Sequence, residues 1–147
     1  MRQYKIAAVF LSALFLFASC SSTESFNISN GFRIDYYSGR GFTGFENGIT
    51  VYSNGVLKFW ESKSNSIRIE KDSLQLSNVQ IKILSDMIKN PELFSYSPKY
   101  SGNYTTYLVL MSGIQFNKIS FNASDLPKDM PSSVKNIIAE IQKIYNK

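Results

Sequence analysis

The chain has 147 residues, 18% of them charged, and a formal net charge of +5. It contains no histidine and a single cysteine, Cys20. These absences exclude zinc sites built from histidine and cysteine, histidine-based catalytic triads and internal disulfide bonds. A calcium site made only of carboxylates stays open, but the acidic residues are spread singly along the chain. We therefore expect no metal, no cofactor, no catalytic residue and no enzyme activity.

The first nineteen residues have the pattern of a bacterial secretion signal. Arg2 and Lys5 precede the stretch Ile6 to Phe17, which carries no charge. As a helix rising about 1.5 Å per residue, this stretch is about 18 Å long. That length is too short for the roughly 30 Å core of a bilayer. The segment ends in Leu16-Phe17-Ala18-Ser19-Cys20, which resembles a lipobox, and the resemblance implies cleavage before Cys20 and lipidation of its thiol.

These features predict a division of the chain into residues 1–19 as signal peptide, 20–30 as polar tether and 31–147 as one globular domain. A lipid on Cys20 predicts a membrane anchor, because two or more acyl chains give stable attachment. Ser21 rather than Asp follows the cysteine, and the resemblance then implies the outer membrane in a host with two membranes. We expect the protein in the cell envelope.

Removal of the signal lowers the net charge to +3, because Arg2 and Lys5 lie within it. The remaining lysines and arginines are scattered along the chain rather than clustered. Proteins that bind nucleic acids normally carry a concentrated basic surface. The sequence therefore predicts no nucleic-acid partner.

The first half of the domain predicts four strands. Alternating apolar and polar residues indicate one strand over Phe32–Tyr37 and a second over about Phe45–Ser53. Asn54-Gly55 is a strong hairpin signal, because both residues accept positive φ. Val56–Trp60 follows as the third strand, and Ile67–Glu70 as a short fourth one.

The second half predicts two helices and two strands. Ser77, with Gln80 three residues later, has the form of a capping box, and an amphipathic helix follows as far as about Asn90. Two strands, 104–111 and 114–121, flank Ser112-Gly113 as a hairpin. Pro131 occupies the first position of the final helix. The apolar stripe of that helix consists of Val134, Ile137, Ile138, Ile141, Ile144 and Tyr145.

Together these elements predict an α+β fold in the order β-β-β-β-α-β-β-α. Strands joined by tight turns are antiparallel. Two amphipathic helices are able to cover one face of such a sheet. We therefore expect an antiparallel sheet of about five to six strands covered by two helices.

A glycine-rich segment, Gly39-Arg40-Gly41-Phe42-Thr43-Gly44, joins the first two predicted strands. It has the G-x-G-x-x-G spacing of dinucleotide sites, which require a helix directly after the glycines. A strand follows here, so we predict no nucleotide binding. Two interpretations remain. The glycines supply positive φ to a structural hairpin loop, or the loop presents Arg40 and Phe42 for recognition.

The segment from Ser38 to Gly44, followed by a strand and an Asn-Gly hairpin, resembles the start of emfourin-type small bacterial proteins. Those proteins carry a similar Ser-Gly-Gly-Phe-Ala-Gly segment, into which Arg40 is inserted here. Emfourins inhibit thermolysin-like metalloproteases. The resemblance therefore implies a non-catalytic module that binds an envelope protein, a protease among the candidates, through the glycine loop.

Aromatic residues suggest a glycan-binding module as an alternative. The chain is rich in them for its length, and rings of this kind stack on the C–H faces of sugars. The competing interpretation is a sheet core, since aromatic residues favour strands. Tyr100 and Tyr104 flank Gly102 in a predicted loop and are the candidate secondary contacts. The other aromatic residues considered are Tyr36, Tyr37, Tyr52, Trp60, Tyr96 and Tyr107.

Two further hypotheses remain open. A structural or assembly-scaffold lipoprotein would need no defined ligand site. A small hydrolase would need two carboxylates that face each other across a cleft. Glu61, Glu70 and Asp72 are the candidates for such a pair, because they lie on predicted neighbouring strands. The lack of histidine and of a free cysteine makes the hydrolase the weakest hypothesis.

Overall fold

A computed structural model describes the folded domain. The described residues are 31–40, 43–63, 67–98, 100 and 102–146, with the backbone alone described for Arg40. The predicted signal peptide, Cys20 and the tether lie outside these residues. So do Gly41 and Phe42 of the glycine loop.

Six strands form one antiparallel sheet with the order β4-β3-β2-β1-β5-β6. Their bounds are β1 Phe32–Arg40, β2 Phe45–Tyr52, β3 Val56–Lys63, β4 Ile69–Gln75, β5 Tyr104–Ser112 and β6 Gln115–Phe121. The predicted α+β class and the antiparallel sheet are confirmed. β1 lies in the interior of the sheet and pairs with β2 on one side and β5 on the other.

Three helices accompany the sheet: α1 Asn78–Met87, α2 Glu92–Ser95 and α3 Ser132–Tyr145. The capping box is confirmed, since the backbone N–H of Gln80 donates to Ser77 Oγ and the Ser77 N–H donates to Gln80 Oε1. The short α2 is an addition to the predicted order, and its buried Leu93 holds it against the core. None of the helices in the described part of the chain is long and apolar enough to span a membrane.

Several element boundaries differ from the predicted ones. β1 continues past Tyr37 to Arg40, because Arg40 pairs with both Phe45 and Tyr104. Part of the predicted glycine loop therefore belongs to β1, and the connection to β2 consists of residues 41–44. β4 extends to Gln75, and its mostly polar, exposed residues explain why alternation did not reveal it.

One turn and one helix start also shift by one residue from their predicted positions. Ser112 pairs with Gln115, so the β5–β6 turn consists of Gly113-Ile114 rather than Ser112-Gly113. Gly113 has φ +55°, which suits the first central residue of a type II′ hairpin. Pro131 precedes α3 as its N-cap, and its carbonyl accepts the N–H groups of Val134 and Lys135.

The main core lies between the helices and one face of the sheet. Alternate residues of the strands, such as Ile34, Ile49 and Leu108, are fully buried there. The predicted stripe of α3 supplies much of the other side, with Val134, Ile137, Ile138, Ile141 and Ile144 buried. Tyr145, the last member of that stripe, is 38% exposed.

Residues 93–98 and Tyr100 lie beside β6, the outer strand at this end of the sheet order. Asn117 Nδ2 donates to the carbonyl oxygens of Leu93 and Tyr96, both at 2.7 Å. The backbone N–H of Tyr100 donates to Ser120 Oγ at 3.3 Å. These side-chain bonds hold a segment of chain beside the edge strand, which hinders its pairing with other chains. The opposite edge strand, β4, is protected instead by charges such as Glu70, Lys71 and Asp72.

Candidate binding site

A groove of about 660 Å³ lies at the end of the sheet where the β1–β2 connection is. We call it the loop-end groove. Its lining residues come from β1, β2, β5 and the segments next to β2 and after β6. They are Ser38, Gly39, Thr43, Phe45, Asn47, Tyr104, Thr105, Thr106, Asn122, Ala123 and Ser124.

The groove forms because the sheet extends beyond its helical cover. α3 covers the sheet as far as Tyr36, whose hydroxyl accepts a hydrogen bond from Gln142 Nε2 at 3.0 Å. Two residues further along β1, Ser38 points to the same face and is paired with Asn47 and Thr106. The row that continues the apolar core is therefore polar, and two of its three members, Ser38 and Asn47, are exposed.

Hydroxyl and amide groups make up the floor of the groove. Ser38 Oγ and Thr106 Oγ1 lie 3.0 Å apart and share a hydrogen bond. Thr105 Oγ1 donates to the carbonyl oxygen of Gly102 at 3.0 Å. Asn47 is exposed, and its amide has no hydrogen-bond partner among the described residues. None of the described lining residues is charged.

Of the two predicted aromatic contacts, only Tyr104 lines the groove. It is 64% exposed. The Tyr100 ring lies against Gly102, where a Cβ atom would collide with the tyrosine hydroxyl. Tyr100 is thus occupied in shaping the loop before β5.

The glycine loop contributes to the groove in part. Gly39 and Thr43 line it. Gly44 has φ +59°, so this position needs a glycine, as the hairpin interpretation predicted. The backbone of Arg40 lies between Phe45 and Tyr104 in the sheet. The prediction that Phe42 presents a recognition ring lies outside the described residues.

The face of the sheet on which none of the described helices packs is called here the open face. Its centre is Asp35, which is buried. Arg33 donates to Asp35 from Nε and Nη2, both at 2.9 Å. Arg68 Nη1 reaches Asp35 Oδ2 at 3.1 Å from the far side of β2 and β3.

Two further groups extend the hydrogen-bond network around Asp35. Thr50 Oγ1 donates to Asp35 Oδ1 at 2.8 Å, and Trp60 Nε1 donates to Thr50 Oγ1 at 3.1 Å. Burial acts to lower the pKa of Arg33, but the hydrogen bond and charge of Asp35 outweigh it and the pKa is raised. The arrangement favours the ion pair.

Aromatic rings and cations cover the rest of the open face. Tyr37 stacks on Tyr107 with ring centroids 4.8 Å apart and contacts Trp60 at 5.4 Å. The Arg68 guanidinium lies 3.8 Å from the Trp60 ring centroid, and Lys118 Nζ lies 4.4 Å from that of Tyr107. Cations at such distances are attracted to the ring faces.

This cluster explains a glycine that no local sequence motif singles out. Gly48 lies in the sheet between Tyr37 and Trp60. A Cβ atom on Gly48 would collide with the Tyr37 Cβ atom and the Tyr36 carbonyl oxygen. The missing side chain allows the two rings to meet across β2. The strand register that places these residues together had not been derived from the sequence.

The hydrolase carboxylates do not form a site. Glu61 pairs with Lys71, and Glu70 Oε2 lies 2.9 Å from Lys58 Nζ. Asp72 Oδ1 accepts the N–H of Ser73 at 2.7 Å. In the described part of the chain, no group of three or more acidic or cysteine side chains is arranged to hold a metal ion.

The chain matches no protein-family model and no curated protein.

Proposed function

We propose that the protein is a lipid-anchored, non-catalytic binding module of the bacterial cell envelope, with the loop-end groove as its recognition site. The position of this groove relative to the N-terminus of the domain carries the proposal. Gly113 N–H donates to the carbonyl oxygen of Gly31 at 3.4 Å, so Gly31 lies beside the β5–β6 turn. The groove is at the other end of the same strands.

Strand length sets the separation between these two ends. β1 has nine residues. At about 3.3 Å per residue it spans about 30 Å. A lipid on Cys20 would attach the domain at the Gly31 end, about one strand length from the groove. This separation is compatible with a ligand that lies beyond the membrane surface.

The lining residues support binding rather than catalysis. A serine or threonine nucleophile needs an adjacent general base. The hydroxyls of Ser38 and Thr106 instead bond to each other, and their described neighbours in the groove carry no titratable base. Concave sites with a few fixed polar groups are typical of ligand recognition.

An envelope protein is the partner that the sequence analysis predicts, and the emfourin resemblance implies a metalloprotease as one such protein. A structural or assembly scaffold is the second hypothesis. It predicts attachment to the wall or to a large complex that does not depend on the groove. The two hypotheses differ in the surface that contacts the partner: the groove in the first, and another part of the protein in the second.

Site-specific photo-crosslinking in intact cells tests the proposal. A benzoyl-phenylalanine at Tyr104 is expected to form adducts with an envelope component. The matched control is the same residue at Phe116, which is also aromatic and is 57% exposed. Phe116 lies at the Gly31 end and is expected to give no such adduct. Equal labelling from both positions, or none from Tyr104, would contradict the proposal.

The anchor is tested separately. Cys20→Ala is expected to abolish labelling by a fatty-acid analogue and to move the protein from the detergent phase to the aqueous phase. If the unchanged protein carries no lipid by mass spectrometry, the anchoring part of the proposal fails, whatever the groove binds.

A further inference from the structure

The polar groups of the groove are of one chemical kind. Ser38, Thr43 and Thr106 offer hydroxyls, which donate and accept hydrogen bonds. Asn47 and Asn122 offer amides, which do the same from separate atoms. Sugar hydroxyl and acetamido groups also donate and accept without charge. The lining therefore offers the kinds of uncharged donors and acceptors that bind a saccharide.

An aromatic residue stands on each side of the groove. Tyr104 and Phe45 are the two cross-strand partners of Arg40, on opposite sides of β1. Tyr104 is 64% exposed, and Phe45 is partly exposed. Aromatic rings have apolar faces, and the tyrosine adds a polar tip. Such rings pack on the C–H faces of sugar rings while the hydroxyls bond to the polar floor.

The groove provides no strand edge for a peptide. Extended peptides are commonly bound by adding a strand to a free sheet edge. The strands under the groove, β1, β2 and β5, are each paired on both sides. A peptide lying there would leave its backbone N–H and C=O groups without strand partners. This observation favours a ligand recognised through side-chain hydroxyls and amides.

Charge also separates the ligand classes. Phosphate and carboxylate groups are typically held by charged hydrogen bonds from arginine or lysine. The described lining residues carry no charge, so they offer no such bond. Among the described lining residues, the chemistry therefore suits an uncharged ligand better than a phosphorylated or strongly acidic one.

From these four observations we infer that the loop-end groove binds an uncharged oligosaccharide. The inference rests on the proposed function, because it names the ligand class of the same site. Tyr104 provides the stacking surface, and Asn47 with the Ser38–Thr106 pair provides the hydrogen bonds. Two sources have this chemistry: the amino-sugar glycans of a cell wall and plain glucans.

Calorimetric titration of the full lipoprotein in detergent micelles tests the inference. The probes are a β-1,4-linked tetramer of N-acetylglucosamine, maltotetraose and an acidic tetramer of galacturonate. At least one uncharged tetramer is expected to bind, and the preference between the two identifies the source. Tyr104→Ala is expected to weaken that binding at least tenfold, and Asn47→Ala several-fold. Both residues are exposed, so neither change removes part of the core.

Two control variants make the result specific. Phe116→Ala removes an exposed aromatic ring from the opposite end and is expected to leave the affinity unchanged. Arg40→Gln removes a cation from the strand position between Tyr104 and Phe45 and tests whether that charge takes part in binding. Binding of the acidic tetramer alone, lost in Arg40→Gln, would overturn the inference.

The result also distinguishes this inference from the proposed function. If no saccharide binds but crosslinking from Tyr104 captures one envelope protein, the groove is a protein-binding site and the inference is wrong. If there is neither saccharide binding nor crosslinking, both fail. Saccharide binding that survives Tyr104→Ala would place the sugar site elsewhere and also overturn the inference.

Discussion

The helix-covered face and the open face are built from alternating residues of the same strands, yet different interactions close them. On the covered face, Ile34 and its neighbours pack against the helices in an apolar core. On the open face, the buried cluster is Tyr37, Trp60 and Val109, with Tyr107 beside it. Cations rather than a helix lie over these rings. One sheet therefore combines two kinds of closure.

The difference shows what a single-layer face needs in order to exclude water. An apolar face without helices would expose a large patch, which in a monomer is usually a contact surface. The charged groups of Arg68 and Lys118 lie over the rings, to which they are attracted, and both side chains keep part of their surface in water. Asp35 then fixes Arg68 in place through a direct ion pair. Water is excluded from the open face by directional polar contacts, whereas it is excluded from the covered face by close packing of apolar side chains.

The largest effect is expected from removing the charge at the centre of the open face. Asp35→Asn keeps the shape of the side chain but leaves Arg33 and Arg68 without their carboxylate. Breaking a buried ion pair by changing one partner costs about 3 kcal/mol. Urea unfolding should therefore show a loss of about this size. We also expect acrylamide to quench Trp60 fluorescence more strongly in this variant. Without the ion pair to Asp35, Arg68 is no longer fixed over the Trp60 ring.

Asp86→Asn is the matched control for this change. Asp86 is also bonded to two cations, Lys89 and Lys82, but on the exposed surface of α1. Hydrogen bonds from these lysines lower the pKa of Asp86. Solvent-exposed pairs contribute little to folding. If both variants were equally stable, the Asp35 network would not be what closes the open face.

A pair of identical substitutions compares packing on the two faces. Val51 is 1% exposed on the covered face, and Val109 is 8% exposed on the open face. Val51→Ala is expected to cost about 2 kcal/mol, from two lost carbon atoms and a cavity in rigid surroundings. Val109→Ala is expected to cost about 1 kcal/mol, because nearby flexible side chains move into the space.

Urea unfolding of both variants measures this difference directly. Equal losses would mean that the open face is packed as rigidly as the helix-covered core. A larger loss for Val109→Ala would reverse the comparison and make the open face the more tightly packed of the two.

The covered face was the part of the fold that the sequence predicts well. Its signals are local: alternation in β1, the Ser77–Gln80 capping box and the stripe from Val134 to Ile144. β4 and the short α2 were missed or misplaced because neither has a regular apolar pattern. An edge strand that faces water on both sides does not need one.

The open face and the groove depend on information that local patterns lack. Asp35 and Arg68 are 33 residues apart and meet only because β4 folds back beside β3. Ser38, Asn47 and Thr106 form one row only in this register. Three of the residues that line the groove, Tyr104, Gly39 and Thr43, were candidates from the sequence, since a glycine-rich connection and a loop tyrosine are local features. It gave no reason to separate Tyr104 from Tyr100.

The smallest expected change in stability concerns a buried polar atom on the covered side. Unlike Asp35 on the open face, this atom has no hydrogen-bond partner among the described residues. The Tyr96 hydroxyl is buried without a hydrogen-bond partner in the described part of the chain, whereas Asp35 accepts four bonds. Removing an unsatisfied buried hydroxyl is neutral or favourable, so Tyr96→Phe is expected to stabilise the domain by up to about 1 kcal/mol. Tyr145→Phe, which changes an exposed tyrosine, is the control and should leave stability at pH 7 unchanged.

The pH dependence of Tyr96→Phe gives a second measurement of the same atom. Burial, followed by the charge of Asp129, raises the pKa of Tyr96 above its usual 10.0. Above pH 10 the unfolded chain therefore loses this proton before the folded one does, and stability falls as the pH rises. Phenylalanine has no proton to lose, so the advantage of Tyr96→Phe over the unchanged protein should widen above pH 10. A constant or shrinking advantage would mean that the hydroxyl finds a partner in solution, which would remove this contrast between the two faces.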